Sequence, residues 1–304
     1  MIKKLVFVFV LLMSVKVSAK TLAIDGRYFQ DDEDINEVSF SFKSQEKIIY
    51  LKDYHGGHIL YNDNYTIVLS GNNAIDCYSK EACITGQNIV IKDGNLMLNG
   101  SNYGILANNV DVINSNIAIY DSSNGIKIKD KKLNVNKSNL YISSKNIGII
   151  AANTFSLKES EVSIEKSNIG ITSSNNLELS LEDAKLKIHN NRAIEGSMIK
   201  KIINSTIDIK GSFEKRFVEP TNDKTITVSF DGKDYISDDD YSKYPYVMIT
   251  GKSSLPETKN EYYTKTIYVD NPNTSDNVYL FVFIFVFSLC SLLILILRSV
   301  IKTW

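Results

Sequence analysis

The sequence predicts an all-β protein, a right-handed parallel β-helix (solenoid) of about seven coils with 21–24 residues in each coil. Three observations support this prediction. A glycine-isoleucine pair recurs at steps of 21 to 23 residues. Two short segments of alternating apolar residues lie at fixed places within each repeat, and a small residue separates them.

The glycine-isoleucine pair sets the length of the repeat. Its isoleucines are Ile105, Ile126, Ile149 and Ile171, and Ala193-Ile194 is a degenerate copy, so the steps are 21, 23, 22 and 23 residues. A further step of 21 residues toward the N-terminus reaches Ile84. Regular self-similarity at this period is typical of a solenoid.

Each repeat also carries the template Val110-x-Val112, Ser115, Ile117-x-Ile119. Apolar residues at every second position indicate strands with one buried face. One repeat cannot bury that face alone, so we expect the repeats to stack around a shared core. The small residue marks a bend with no room for a larger side chain; these residues are Gly71, Gly94, Ser115, Ser138, Ser160, Ala184 and Ser205. The pairs Asn108-Asn109, Asn175-Asn176 and Asn190-Asn191 suit left-handed turns.

The remaining segments follow from the extent of the repeats, residues 66–211. Because a stack of coils exposes sheet edges at both ends, we expect residues 20–65 and 212–250 to form caps. In the second cap, Tyr244 to Ile249 reads as a closing strand. Residues 251–270 are polar and read as a linker or stalk.

The N-terminus has the features of a signal peptide over residues 1–19. Lys3 and Lys4 precede an apolar stretch from Leu5 to Met13, and small residues end at Ala19, the expected cleavage site.

The C-terminus, residues 271–304, combines a short motif, an apolar stretch and a basic end. Residues 278–297 contain no charge and are long enough for a transmembrane helix, and Arg298 and Lys302 keep the tail inside the cell. The preceding motif is Asn271-Pro272-Asn273-Thr274-Ser275.

This arrangement resembles the cell-wall sorting signal of Gram-positive surface proteins. The resemblance implies that a sortase transpeptidase attaches Thr274 covalently to peptidoglycan and discards the fragment that starts at Ser275. Contact with the membrane through the helix is then transient. The alternative is a single-pass membrane protein with its N-terminus outside. Leu255-Pro256-Glu257-Thr258 is a second motif of this kind, but it lies farther from the apolar stretch.

The repeats with their glycine-isoleucine starts also resemble the β-helical carbohydrate-binding domains of bacterial surface proteins, over about residues 60–250. The resemblance implies a glycan or host-surface ligand. Members of that type often have Asp before the glycine and bind acidic polysaccharide with calcium. Here Asn124, Ile147 and Ile169 precede the glycines, which argues against such a ligand.

Composition narrows the partners further. The chain has 34 Lys and Arg against 35 Asp and Glu, a net charge of −1, so its charge does not favour a nucleic-acid partner.

Of the three cysteines, Cys77 and Cys83 lie at the two ends of a short loop and form either a disulfide or two free thiols.

We expect no cofactor and no metal. Asp53 to His58 contains possible metal ligands, but a capping turn is the favoured interpretation. The acidic residues Asp231, Asp234 and Asp238 to Asp240 could bind calcium, although a solvated turn is favoured.

No catalytic residue is predicted. Outward residues should form two columns, and no two acids are neighbours in either one; the columns are Val90, Asp111, Asn134, Ser156, Ser180, Lys201 and Met97, Ala118, Tyr141, Ser163, Lys187, Asp208. His189 is expected to be isolated on a solvated turn. Tyr103, Tyr120 and Tyr141 could stack on sugars, or could reflect β-propensity alone.

The sequence therefore predicts a secreted, wall-anchored surface protein that acts as a glycan-binding or adhesion module. A structural spacer without a specific ligand and a carbohydrate-active enzyme are the alternatives.

Overall fold

The computed structural model describes residues 21–30, 32–212, 226–230, 233–235 and 246–251. Over these residues the chain is an all-β parallel β-solenoid of about seven turns, without a helix. Within this part of the chain nothing helical could cross a membrane. The predicted signal peptide, residues 1–19, and the predicted sorting signal, residues 271–304, lie outside the described residues.

Two antiparallel hairpins cover the N-terminal end. Their strands are β1 (Thr21–Ile24), β2 (Arg27–Gln30), β3 (Ile35–Asn36) and β4 (Phe40–Lys43). The guanidinium of Arg27 lies 5.5 Å from the ring centroid of Phe29 and 5.4 Å from that of Phe40. These contacts join the two hairpins.

Each turn contributes one strand to each of three parallel faces. The first face consists of β5 (Ile48–Lys52), β8 (Tyr65–Ser70), β11 (Asn88–Lys92), β14 (Asn109–Ile113), β17 (Lys132–Asn136), β20 (Thr154–Lys158) and the C-terminal parts of β22 (Ile169–Glu182) and β23 (Lys185–Ile203). Parallel pairing begins at Ile48, so the first turn lies within the segment that the sequence assigns to the N-terminal cap.

The second face consists of β6 (His55–Gly56), β9 (Asn72–Asp76), β12 (Asn95–Asn99), β15 (Asn116–Tyr120), β18 (Asn139–Ser143), β21 (Glu161–Glu165), the first part of β23 and β24 (Thr206–Ser212). The third face consists of β7 (Ile59–Tyr61), β10 (Ala82–Thr85), β13 (Tyr103–Ala107), β16 (Asn124–Ile128), β19 (Ile147–Ala151), the start of β22 and the middle of β23.

The strand register confirms the repeat that the sequence predicts. The isoleucines pair in one buried column on the third face, which is Ile59, Ile84, Ile105, Ile126, Ile149, Ile171 and Ile194. The preceding glycines are required by close packing. A Cβ at Gly148 would overlap the carbonyl oxygen of Gly170 and the Cγ2 of Ile164.

The predicted small residues form a ladder at the corner between the first and second faces. The amide of Ser115 donates to Oγ of Ser138 at 3.0 Å, and the amide of Ser138 donates to Oγ of Ser160 at 3.1 Å. All the serines of this ladder are buried, so their hydroxyls satisfy backbone groups that water does not reach.

The prediction of left-handed turns at the paired asparagines was wrong for Asn108, Asn109 and Asn190. Six of the described residues with positive φ lie instead immediately before the ladder, and these are Asp93, Asn114, Lys137, Glu159, Asp183 and Asn204. One left-handed residue makes the sharp bend between these two faces, and the next residue then points inward. This bend is repeated in six successive turns, whatever the residue type, whereas in the turn before them Gly71 is itself the left-handed residue.

A set of antiparallel strands follows the last turn. β27 (Tyr246–Gly251) pairs with β24, with Ile207 opposite Ile249, so the expected closing strand is present. β25 (Ile226–Phe230) pairs with both β27 and β26 (Lys233–Tyr235).

Candidate functional site

An open groove of about 540 Å³ lies along the corner between the second and third faces. Turn residues from four successive coils line it; they are Tyr78, Ser79, Lys80, Gly100, Ser101, Asn102, Asp121, Ser123 and Lys145. We call it the corner groove. A smaller concavity of about 210 Å³ shares Tyr78 and Lys80 with it and extends toward Asp25, Gly57, His58 and Asp76.

Tyr78 is the exposed aromatic side chain of the groove, with 63% of its surface accessible. It lies in the loop closed by a disulfide between Cys77 and Cys83, whose Cα atoms are 5.3 Å apart. One side of its ring rests on the backbone of Gly100, where an added Cβ would overlap the ring. Both constraints hold an aromatic surface in place before any ligand arrives.

The floor of the groove is a ladder of backbone hydrogen bonds. The amide of Asn102 donates to the carbonyl of Lys80 at 3.1 Å, and that of Ser123 donates to the carbonyl of Ser101 at 2.8 Å. The amide of Lys145 donates to the carbonyl of Ser122 at 2.9 Å. The polar side chains above this floor are therefore carried on fixed backbone.

A second serine ladder supports the same corner from inside. The hydroxyls of Ser101 and Ser122 lie 3.3 Å apart, and those of Ser144 and Ser167 lie 2.8 Å apart. Reasoning from the sequence missed this ladder, although its members recur at steps of 21, 22 and 23 residues. The same period that revealed the first ladder would have found it.

The groove presents charges of both signs. Among the ion pairs of the described residues, none involves Lys80, Lys145 or Asp121. At the end near the cap, Asp25 accepts a hydrogen bond of 2.7 Å from the amide of Gly57. Burial and the nearby Lys80 lower the pKa of His58, against a smaller opposing effect of Asp25. The groove thus offers both donors and acceptors to a polar ligand.

The tyrosines that the sequence singles out lie elsewhere and are less accessible. Tyr120 and Tyr141 are half-buried on the second face, with ring centroids 5.5 Å apart and planes tilted by 44°. The ammonium of Lys127 lies 5.2 Å from the ring centroid of Tyr103. Tyr78 was not among the tyrosines chosen from the sequence, although its position inside the Cys77–Cys83 loop could have marked it as a candidate.

The structure also locates the residues weighed as metal ligands. No group of three or more His, Cys, Asp or Glu side chains suited to a metal occurs in the described part of the chain. The carboxylate of Asp53 accepts a hydrogen bond of 2.9 Å from the amide of Asn72, as a turn residue does. Asp231 and residues 238–240 lie outside the described residues, as do Ala19 and the motif from Asn271 to Ser275.

The register confirms both outward columns of the sequence analysis, since each member pairs with the next.

The prediction that His189 lies isolated on a solvated turn was wrong. It lies on strand β23, and its Nε2 is 3.1 Å from Oδ1 of Asp208 on the next turn. The alternation that continues through Leu186 and Ile188 places His189 on the outer surface of the strand.

Comparisons with known proteins identify no relative of this chain. No family model, no curated protein and no solved structure matches it.

Proposed function

We propose that this chain is an exported surface protein whose solenoid binds glycans in the corner groove. The observation that best supports this proposal is the fixed position of Tyr78. Its exposed ring is held between a disulfide loop and the backbone of Gly100. Sugar-binding surfaces need an aromatic plane for the apolar face of a pyranose and polar groups for its hydroxyls.

The polar groups beside Tyr78 suit hydroxyl recognition. Lys80 and Lys145 can donate hydrogen bonds, Asp121 can accept them, and Asn102 and Ser123 can do both. Side chains that carry both kinds of group favour a polyhydroxylated ligand over an apolar one. We propose binding rather than catalysis as the role of this surface, with no cofactor.

We further propose that the protein is attached to the cell wall through Thr274. The support is the order of features in residues 271–304, which are the motif, the uncharged stretch and the basic end. Mass spectrometry of wall digests is the test. A peptide that ends at Thr274 and carries a wall peptide is expected, whereas mature protein that retains residues 278–297 contradicts the proposal and favours a single-pass membrane protein.

A glycan array tests the binding proposal. Full-length chain in detergent micelles should be retained by a subset of immobilised glycans, and reduction of the disulfide should weaken that retention. Folded chain that no glycan retains would overturn the proposal. Release of labelled fragments from a retained polysaccharide would instead favour a carbohydrate-active enzyme.

A structural spacer is the second candidate, because ion pairs link successive turns on the outside of the C-terminal half. Lys158 pairs with Glu182 at 3.3 Å, Lys185 with Glu161 at 3.3 Å, and Lys187 with Glu165 at 2.7 Å. Such pairs occupy charged groups that a ligand would otherwise contact, so the C-terminal half of the solenoid suits the role of a structural spacer better than that of a binding surface.

A further inference from the structure

We infer that the corner groove takes a linear oligosaccharide of about four sugar units, which lies parallel to the solenoid axis. This inference rests on the proposed function and specifies its ligand class. It excludes a ligand recognised through a single terminal sugar.

The residues that line the corner groove and the smaller concavity beside it come from five successive turns, one set per turn. In order along the axis these sets are Gly57 and His58, then Asp76 to Lys80, then Gly100 to Asn102, then Asp121 to Ser123, and finally Lys145. Tyr78 and Lys80 line both concavities, so the two adjoin at the aromatic ring, and we call them together the trough.

The spacing of these sets is fixed by strand pairing. Backbone hydrogen bonds connect the second set to the third, from Asn102 to Lys80, and the third to the fourth, from Ser123 to Ser101. The amide of Lys145 connects the fourth set to the fifth, and the pairing of strands β6 and β9 fixes the first step. Neighbouring strands lie about 4.8 Å apart, so four steps from His58 to Lys145 span roughly 19 Å.

This spacing is close to the length of one pyranose unit in an extended polysaccharide. Four consecutive sugars laid along the trough would therefore cover the four steps between the five sets, with each sugar lying between neighbouring turns. Each turn supplies at least one polar side chain at its position, namely His58, Lys80, Asn102, Ser123 and Lys145. A single sugar could contact only one or two of them.

The two ends of the trough can be tested separately from its centre. Tyr78 belongs to the second set and should contact a ligand of any length. Lys145 lies three turns beyond Tyr78, so it should contribute only when the ligand is long enough to reach it, whereas His58 lies on the turn next to Tyr78.

Calorimetric titration of the full-length chain in detergent micelles tests the inference. The probes are β-1,4-linked N-acetylglucosamine, β-1,4-linked glucose, β-1,4-linked mannose and α-1,4-linked glucose, each from one to six units. For the series that binds, affinity should rise at least about tenfold between two and four units and then level off.

Variants provide the second readout. Lys145→Met should weaken binding of the tetramer and leave binding of the dimer unchanged, whereas Tyr78→Ala should weaken both. His58→Asn should weaken binding of the tetramer. Lys129→Met is the matched control, because Lys129 is exposed and does not line the groove. All four side chains are at least partly exposed, so thermal unfolding should show folded protein in each case.

Each outcome bears on the inference. Equal affinity for the monomer and the hexamer overturns it and leaves the proposed function intact. Equal losses for dimer and tetramer in Lys145→Met also overturn it. Absence of binding by every probe overturns the proposed function and this inference together.

Discussion

The aromatic ring of Tyr78 rests on the backbone of Gly100, one turn further along the solenoid. Gly100 has a φ of 63°, and a side chain at this position would overlap the ring. Both residues lie at the corner between the second and third faces, Tyr78 in the disulfide loop of one turn and Gly100 in the next turn. Their contact joins the loop to the solenoid and makes the corner groove a preformed surface.

Replacing Gly100 with Ala should displace Tyr78 and weaken glycan binding. The left-handed φ adds a loss of stability of about 1 kcal/mol. We expect affinity to fall about tenfold while the protein stays folded, measured by calorimetry and by denaturant unfolding. Gly71→Ala is the matched control, since Gly71 has a φ of 70° and an added Cβ there would overlap the side chain of Asp53, away from the groove. Equal effects of the two variants on affinity would contradict the role of the Tyr78 contact.

Opening the disulfide should loosen the loop that carries Tyr78. Cys77 and Cys83 are 6 positions apart, and the loop-entropy model gives about 2 kcal/mol for closing a loop of this size. The Cys77→Ala, Cys83→Ala double variant should lose roughly this much stability and bind glycan more weakly. Urea unfolding and calorimetry measure the two effects. Unchanged affinity would show that Gly100 alone positions the ring.

Replacing Gly148 with Ala tests the glycine column. The added methyl would overlap the carbonyl of Gly170 and the side chain of Ile164. Overpacking of this kind lowers the free energy of unfolding by about 1–3 kcal/mol. Ser156→Ala, at an outward position of the first face, is the control and should change stability little. A Gly148→Ala variant as stable as that control would contradict the tight spacing of the turns.

The Lys187–Glu165 pair should make stability depend on pH. The hydrogen bond from Lys187 holds the pKa of Glu165 below its ordinary value of 4.5. A carboxyl whose pKa is lower in the folded state stabilises the fold fully above its unfolded pKa. That contribution disappears as the pH falls through the folded value.

Lys187→Met should therefore lower the free energy of unfolding at pH 7 by about 1 kcal/mol. The difference from wild type should shrink as the pH falls below about 4.5. Urea titrations at pH 7, 5 and 3 measure it, with Lys129→Met as the unpaired control. A difference that stays constant down to the lowest pH would contradict the ion pair.

The repeat could be predicted from sequence because each turn imposes the same demands at the same positions. The buried isoleucine at Ile126 and the small residue at Ser115 recur in every turn, and so the period shows them. The first turn was missed because β6 is only two residues long, His55–Gly56, and lacks the apolar alternation.

The corner groove could not be predicted in the same way. Its aromatic surface depends on Tyr78, which occurs once, in a loop that the repeat does not contain. Its end depends on Asp25, which the N-terminal hairpin brings to Gly57 from 32 residues away. Contacts of this kind depend on how a cap and a loop fold against the repeats, so the period of the sequence does not predict them.

The most direct test of the proposed function compares two exposed tyrosines. Calorimetry should measure the affinity of an array-selected glycan for full-length wild type, Tyr78→Ala and Tyr28→Ala. Tyr28 is 75% exposed on β2 and does not line the groove. We expect Tyr78→Ala to lose about tenfold or more in affinity and Tyr28→Ala to match wild type. Full affinity in a folded Tyr78→Ala variant would contradict the corner groove as the binding site.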